Sequence, residues 1–422
     1  MLQVAYIRQH REEVLNRLAV KYFTDVALVD NILSLDDTRR KLKADLDEVQ
    51  ASINALSRDF KILKGQGKTT ELEEKQAEAA ALKTRIPPLQ QSLAETESRL
   101  QDELVKLPNL PHSSVPAGRT AEDNVVVRQG GPEAQLPEKP LPHWDLAKKY
   151  DLIDLDLGVK LTGAGFPVYK GRGARLERAL ISMFLDYNTR AGYTEYLPPL
   201  MVNEATAYGT GQLPDKESQM YHVTQDGFYL IPTAEVPLTN IYRDQIIKAE
   251  SLPVKMTAYT PCFRREAGSY GKDVRGLNRV HQFDKVEIVQ IVRAGTSYEV
   301  LEEMVAHVEK LLGLLELPYR ILRLSGGDMS FTSALTYDFE VFSAAQKRWL
   351  EVSSVSNFES FQTNRMKIRT KENGKSELLH SLNGSSLALP RIMACLLENH
   401  QQPGGIRLPD ALQSYFGGDL IG

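Results

Sequence analysis

The chain has 422 residues, of which 42% are hydrophobic and 25% charged, and this composition excludes a disordered or collagen-like polymer. Its formal net charge of −4 excludes a global polycation, so any nucleic acid is to be met by local basic patches. No apolar run reaches the roughly 18 residues of a membrane span, and the N-terminus lacks the apolar core of a signal peptide. The expectations are a cytoplasmic location and no membrane partner. Cys262 and Cys395 stand far apart without paired Cys/His spacing, so no zinc is expected and both read as packing thiols.

Residues 1–27 read as short helices. From Leu42 the apolar positions Leu42, Leu46, Val49, Ile53, Leu56, Phe60 and Leu63 alternate spacings of four and three, a coiled-coil seam. A second seam follows at Ala79, Leu82, Ile86, Leu89, Leu93, Thr96 and Leu100, with GQGKTT at 65–70 between them. Two seams and a tight turn predict an antiparallel helical hairpin over about 28–104, each arm extending on the order of 50 Å at about 1.5 Å per residue. Pro87 and Pro88 predict a kink. The tip is not a phosphate-binding loop, because Ile62 stands where that motif needs glycine and a helix precedes it. Basic residues on the arm include Arg39, Arg40, Arg58, Lys61 and Lys64, interleaved with acidic ones, so a solvated helix surface competes with a phosphate-contacting one.

The stretch 108–142 is rich in Pro, Gly and Ser and reads as a linker between residues 1–107 and a second domain over 143–422. In that domain ARLERALISMFLDYNTR (174–190) predicts an amphipathic helix, followed after Gly192 by a short strand ending at Pro198. IPTAEVPLTNIYRDQ (231–245) predicts a strand running into a helix. Residues 337–365 predict two strands and a turn, and LLHSLNGSSLALPRIMACLLENHQ predicts a strand, a Gly/Ser turn and a helix with Pro390 near its start. Few, unevenly placed helices among hairpin-linked strands point to α+β: a largely antiparallel sheet flanked by helices.

Residues 262–291 carry the densest chemistry. Arg264, Arg265 and Glu266 lead into a loop with Gly268, Gly271, Arg275, Gly276 and Arg279, and an alternating run returns through Phe283 and Glu287. This is a β-hairpin with a long connection, suited to a nucleotide: arginine forks phosphate, an aromatic ring stacks on a base, and a carboxylate accepts from an amine. Taken alone, Phe283 reads as core and Glu287 as a solvated strand position. His281 is assigned to structure. Asn383-Gly384-Ser385 matches a glycosylation acceptor, which carries little weight without a secretory signal.

The segments ARLERAL (174–180), TAEVPLTN (233–240), FRREAGSYGKDVRGLNRVHQFDKVEIV (263–289), EVSSVSNFESFQ (351–362) and LNGSSLALPR (382–391), in that order behind the arm, resemble the class II aminoacyl-tRNA synthetases and the seryl-tRNA synthetase family in particular. The resemblance covers essentially the whole chain. It implies a class II antiparallel core with an N-terminal coiled-coil arm that grips tRNA, a homodimer, and activation of L-serine by ATP with Mg2+ for transfer to tRNA(Ser) and also tRNA(Sec). By resemblance, Arg264 and Arg391 are catalytic, and ATP is held by Arg264, Arg265, Glu266, Arg279, Val280, Phe283, Glu351, Val352, Ser353, Ser354 and Arg391. Serine is held by Thr233, Ala234, Glu235, Glu287, Asn383 and Ser385, Mg2+ by Glu351 and Ser354, and tRNA by the arm cations and Arg275. The competing readings are a paralogue loading another small amino acid or a carrier protein, and an inactive scaffold. The arm counts against carrier loading; Arg264, Glu266, Glu351 and Arg391 together count against a scaffold.

Overall fold

The computed structural model describes every residue except 216, 267–274 and 373, so Gly268 and Gly271 of the hairpin connection lie outside the described residues. The chain divides into two compact units, Met1–Ala19 with Phe23–Pro108, and Val20–Tyr22 with Asn109–Gly422.

In the first unit two short helices, α1 (Val4–Gln9) and α2 (Arg11–Val20), precede two long ones, α3 (Val26–Gly65) and α4 (Thr69–Leu104). The residues that the seams nominate are those withdrawn from water: Val49, Ile53, Leu56 and Leu63 on α3, and Ala79, Thr96 and Leu100 on α4, are buried. The antiparallel register is marked by an ion pair of 3.2 Å between Lys75 and Asp59. The turn takes only residues 66–68, with Gly67 at φ +72, a left-handed conformation natural to glycine. Pro87 and Pro88 do not interrupt α4, which is helical on both sides. Both rings lie on the exposed face, and the half-buried Leu82, Ile86, Leu89 and Leu93 keep the seam closed across them.

The second unit is built on an eight-stranded sheet. In chain order its strands are β1 (Val125–Gly130), β2 (Thr194–Glu195), β3 (Val254–Phe263), β4 (Gln282–Val292), β5 (Tyr319–Arg323), β6 (Leu335–Ser343), β7 (Arg348–Asn357) and β8 (His380–Ala388). Their spatial order is β1-β5-β6-β7-β8-β4-β3-β2. All described pairs are antiparallel except β2 with β3. Helices α5 (His143–Lys149), α6 (Arg172–Arg190), α7 (Glu235–Asn240), α8 (Ser297–Leu314), α9 (Phe361–Met366) and α10 (Leu389–Asn399) surround it. The apolar stripe of α6 (Leu176, Ala179, Leu180, Met183, Phe184), that of α8 and nearly all of α10 enter one core with the sheet.

Three elements differ from the sequence reading. The stretch 108–142 is not a free linker: it supplies the edge strand β1, paired with β5, and Asn109 is buried with its amide donating to Phe331. Proline and glycine there signal irregular backbone, which does not require exposure. The Gly/Ser turn at 383–386 is the middle of β8, because each polar side chain has a partner inside the protein. Gly384 is used there for close approach: a Cβ would lie 3.0 Å from the Val355 side chain on β7. Finally, residues 361–366 form α9 where only strands and a turn were predicted.

Candidate active site

Strands β7, β8, β4 and β3 lie side by side, so residues far apart in sequence converge on one face. Phe283, Lys285 and Glu287 alternate along β4, and two-residue periodicity aims them to the same side. Glu287 stands directly opposite Ser385 on β8 and Ala258 on β3. The register between β4 and β8 shifts between Lys285 and Glu287, and Leu387 adopts φ +70 beside that irregularity. Such a bulge re-aims side chains at a strand end.

The polar centre of the site is a buried carboxylate pair. Glu287 receives hydrogen bonds from Thr233 (3.2 Å), Ser385 (3.5 Å) and Asn383 (3.1 Å), and pairs at 2.6 Å with the Lys285 ammonium. Glu235, the first residue of α7, receives one from Gln362 of α9 at 2.6 Å and one from Asn383 at 2.8 Å. The single Asn383 amide therefore bridges both carboxylates. Burial, and then the charge of Glu287, push Glu235 up to about 7, against the opposing Gln362 hydrogen bond.

Beside this pocket the Arg264 guanidinium lies 5.2 Å from the centre of the Phe283 ring, and its Nε donates at 3.4 Å to the Pro232 carbonyl. His281 Nδ1 donates to the Arg264 carbonyl (3.1 Å) and lies 3.3 Å from the Tyr221 hydroxyl, and the ring stacks on Phe166, so it holds backbone in place. Glu266, at φ +49, is ion-paired with Arg279, and its N–H donates to the Gln219 side chain at 3.1 Å. Arg391, in the first turn of α10, donates to the carbonyls of Asn278 (2.9 Å) and Glu351 (2.7 Å). On β7, Glu351 is half exposed, Val352 and Ser353 are buried, and Ser353 donates to the Ser385 carbonyl at 2.6 Å.

The family model described as "Seryl-tRNA synthetase N-terminal domain" matches residues 1–111, and "tRNA synthetase class II core domain (G, H, P, S and T)" matches residues 221–400. A serine--tRNA ligase of Salinibacter ruber is 49% identical over 100% of this chain and 99% of that protein. The chain belongs to the seryl-tRNA synthetase family. Among solved structures, the seryl-tRNA synthetase of Pyrococcus horikoshii, complexed with ATP, aligns with a TM-score of 0.92 at 32% identity, covering 100% of this chain and 99% of that one. The cytoplasmic serine-tRNA ligase of Naegleria fowleri, in complex with AMP, aligns at 0.87 and 25% identity over 100% and 98% of the two chains.

In this synthetase the residues named from the sequence fall into linked sets: Thr233, Glu235, Glu287, Asn383 and Ser385 form the carboxylate pocket, Arg264 packs on Phe283, Glu266 pairs with Arg279, and Arg391 with Glu351. Val280 and Val352 are buried and Arg265 is exposed. On the arm, Arg40, Arg58, Lys61 and Lys64 face solvent, whereas Arg39 is committed to Asp36 at 2.7 Å. Arg275 packs on the Trp144 ring at 4.3 Å.

Sequence reasoning missed Lys285, Gln362, Gln219 and Asp338. Lys285 was findable, since it shares a strand face with Phe283 and Glu287; the other three act through partners that no local pattern marks. Asp338 lies across from Ser354 in the β6–β7 register and hydrogen-bonds it. Its Oδ1 is buried without a partner, and burial, then the Glu351 charge, push its carboxyl well above the usual range. An uncompensated oxygen beside two oxygen donors fits a hard divalent cation that shares phosphate and water ligands. Among the described residues no helix is long and apolar enough to cross a membrane, and no group of three or more His, Cys, Asp and Glu side chains converges as a metal site.

Proposed function

We propose that this synthetase forms seryl-adenylate from L-serine and ATP in the cytoplasm and passes the seryl group to the 3′ end of tRNA(Ser), and of tRNA(Sec) where that tRNA exists. The observation that carries the amino-acid assignment is the buried Glu235–Asn383–Glu287 unit, flanked by Thr233, Ala234 and Ser385. A carboxylate out of water asks for an ammonium, and the hydroxyl and amide groups around it ask for a small hydroxyl, so alanine would leave them unpaired.

The serine carboxylate attacks the α-phosphorus; the new P–O bond forms as the bond to the bridging oxygen breaks and pyrophosphate leaves. Arg264 faces the charge that grows on the α-phosphate oxygens. Phe283 and Val280 flank the adenine, Glu266 accepts from its amino group, and Arg391 with Arg279 holds the terminal phosphates, supported by Arg265, Val352 and Ser353. Glu351 and Ser354, with Asp338 behind them, would hold Mg2+, which neutralises phosphate charge when bound. The tRNA hydroxyl then attacks the seryl carbonyl and AMP leaves. Arg275 and the arm cations Arg39, Arg40, Arg58, Lys61 and Lys64 are proposed to meet tRNA phosphates. Dimerisation through the β2 edge is favoured by Leu197, 87% exposed just beyond it.

ATP–pyrophosphate exchange across the amino acids tests this reading: exchange with serine alone is expected, and a wider or absent response refutes it. In the same assay, excising residues 43–91, whose ends the antiparallel register brings together, should leave exchange intact. Charging of tRNA should fall at least about tenfold as phosphate contacts are lost. Equal loss of both activities removes the arm from tRNA recognition.

The titration of Glu235 gives a signed pH effect. At pH 6 it is mostly protonated and at pH 8 mostly ionised, given its value of about 7. The serine ammonium pairs with the ionised form, so the KM for serine should fall about tenfold between pH 6 and 8 and then level off. Glu235→Gln should flatten that profile. For folding the sign is opposite: the neutral form is favoured by burial, so this group's contribution is fully present below its ordinary 4.5 and is lost as pH rises through about 7.

A further inference from the structure

The base of the β3–β4 connection is fastened from outside the substrate pocket. At the start of α5, His143 is 1% exposed and faces Glu398, 0% exposed, at the last turn of α10. Both the His143 backbone N–H (2.9 Å) and its Nδ1 (2.8 Å) reach the same Glu398 oxygen. The carboxylate is an acceptor, so Nδ1 carries the ring proton and Nε2 is left with a lone pair. That lone pair accepts the Leu277 N–H at 2.9 Å.

Gly276 makes room for the ring. Its φ is +66, and a Cβ there would lie 2.2 Å from His143 Nε2. From Glu398 the network continues: Ser343 donates to its second oxygen, and Gln346 donates to the first at 3.1 Å. Gln346 accepts from the Asn278 side chain at 2.9 Å, and the Asn278 carbonyl accepts from Arg391 Nε at 2.9 Å. Arg279, the partner of Glu266, follows directly. α10 thus carries Arg391 at one end and, at the other, the carboxylate that anchors the loop base to which Arg391 bonds.

We infer that His143 and Glu398 are positioning residues for ATP: through Leu277 and Asn278 they fix where Arg279 and Arg391 present their guanidinium groups. Neither touches a reacting atom. The inference rests on the synthetase reading of the site, and serine-dependent exchange by the unaltered protein tests that reading separately. Serine is held by β4, β8 and α7, outside this network, so the two substrates should respond differently.

The variants are His143→Ala, His143→Asn and His143→Gln, with Gly276→Ala as an independent perturbation, all in full-length protein with active sites counted by adenylate burst. Asparagine can keep the bond to Glu398 but not the one to Leu277; glutamine places an acceptor near Nε2 and can keep the latter. The KM for ATP in exchange should rise about tenfold for Ala and Asn and recover to within about threefold for Gln, with the KM for serine unchanged. Gly276→Ala should raise the ATP KM similarly, and should add less in a His143→Ala background than it does alone, because the clash with the ring is gone there and only the strain of φ +66 remains. A lower melting temperature or burst with both KM values unchanged in all variants overturns the inference. So does a parallel rise for ATP and serine, or equal behaviour of Asn and Gln.

Discussion

Arg264→Ala is expected to lower serine-dependent exchange by about 10²–10³-fold, the loss typical when one donor to a developing oxyanion is removed. The residue is suited to this test because the fold asks little of its side chain: a long 3.4 Å bond to the Pro232 carbonyl and the face of Phe283. Its backbone, by contrast, is held by His281, which the substitution spares. The melting temperature should therefore stay within a few degrees and the KM for serine should change little, placing the loss in kcat. Exchange within about threefold of the unaltered protein would remove Arg264 from the assigned role.

Glu287→Gln should be costly for two separable reasons. As the second of the two carboxylates proposed, with Glu235, to face the incoming ammonium, its loss should lower kcat/KM for serine by at least about 100-fold, within the 2–5 kcal/mol typical of truncating a buried charge pair. As the counter-ion of Lys285, whose side chain is only 7% exposed, its loss strands a buried ammonium. Breaking such a pair costs about 3–5 kcal/mol of stability. Adding Lys285→Met removes the stranded charge, so thermal stability should recover while serine activation stays lost. Recovery of both would mean that Glu287 serves only Lys285, and that the ammonium is bound elsewhere.

Local periodicity is why the arm and the central hairpin were legible. A seam of alternating three and four reports one interface between adjacent helices, and an alternating strand reports one buried face; both depend on neighbours a few residues away. The proposed active site was legible only through resemblance to a family, since Arg264, Glu235 and Arg391 lie in distant segments that only the strand pairing of the sheet gathers. Where long-range partners decide, local reading failed. Asn383, Gly384 and Ser385 have turn-forming character, yet two carboxylates, a facing valine and the Ser353 hydroxyl draw them into a central strand. The bonds from Asn109 to the loop at Phe331, and from His143 to Leu277, similarly turn irregular or unremarkable sequence into fixed structure.

Gly384 has a further consequence. It pairs with Val355 of β7 on one side and Ile288 of β4 on the other, and the valine is already at 3.0 Å from where a first side-chain carbon would be. The groups proposed for the metal ride on β7, and Asn383, Ser385 and Glu287 among those proposed for serine ride on β8 and β4. One absent methyl therefore acts as the spacer between β7 and β8, and so between the groups proposed for the metal and those proposed for serine. Widening that gap would lengthen the distance that the serine carboxylate must cover to reach phosphorus, without altering any residue proposed to contact either substrate.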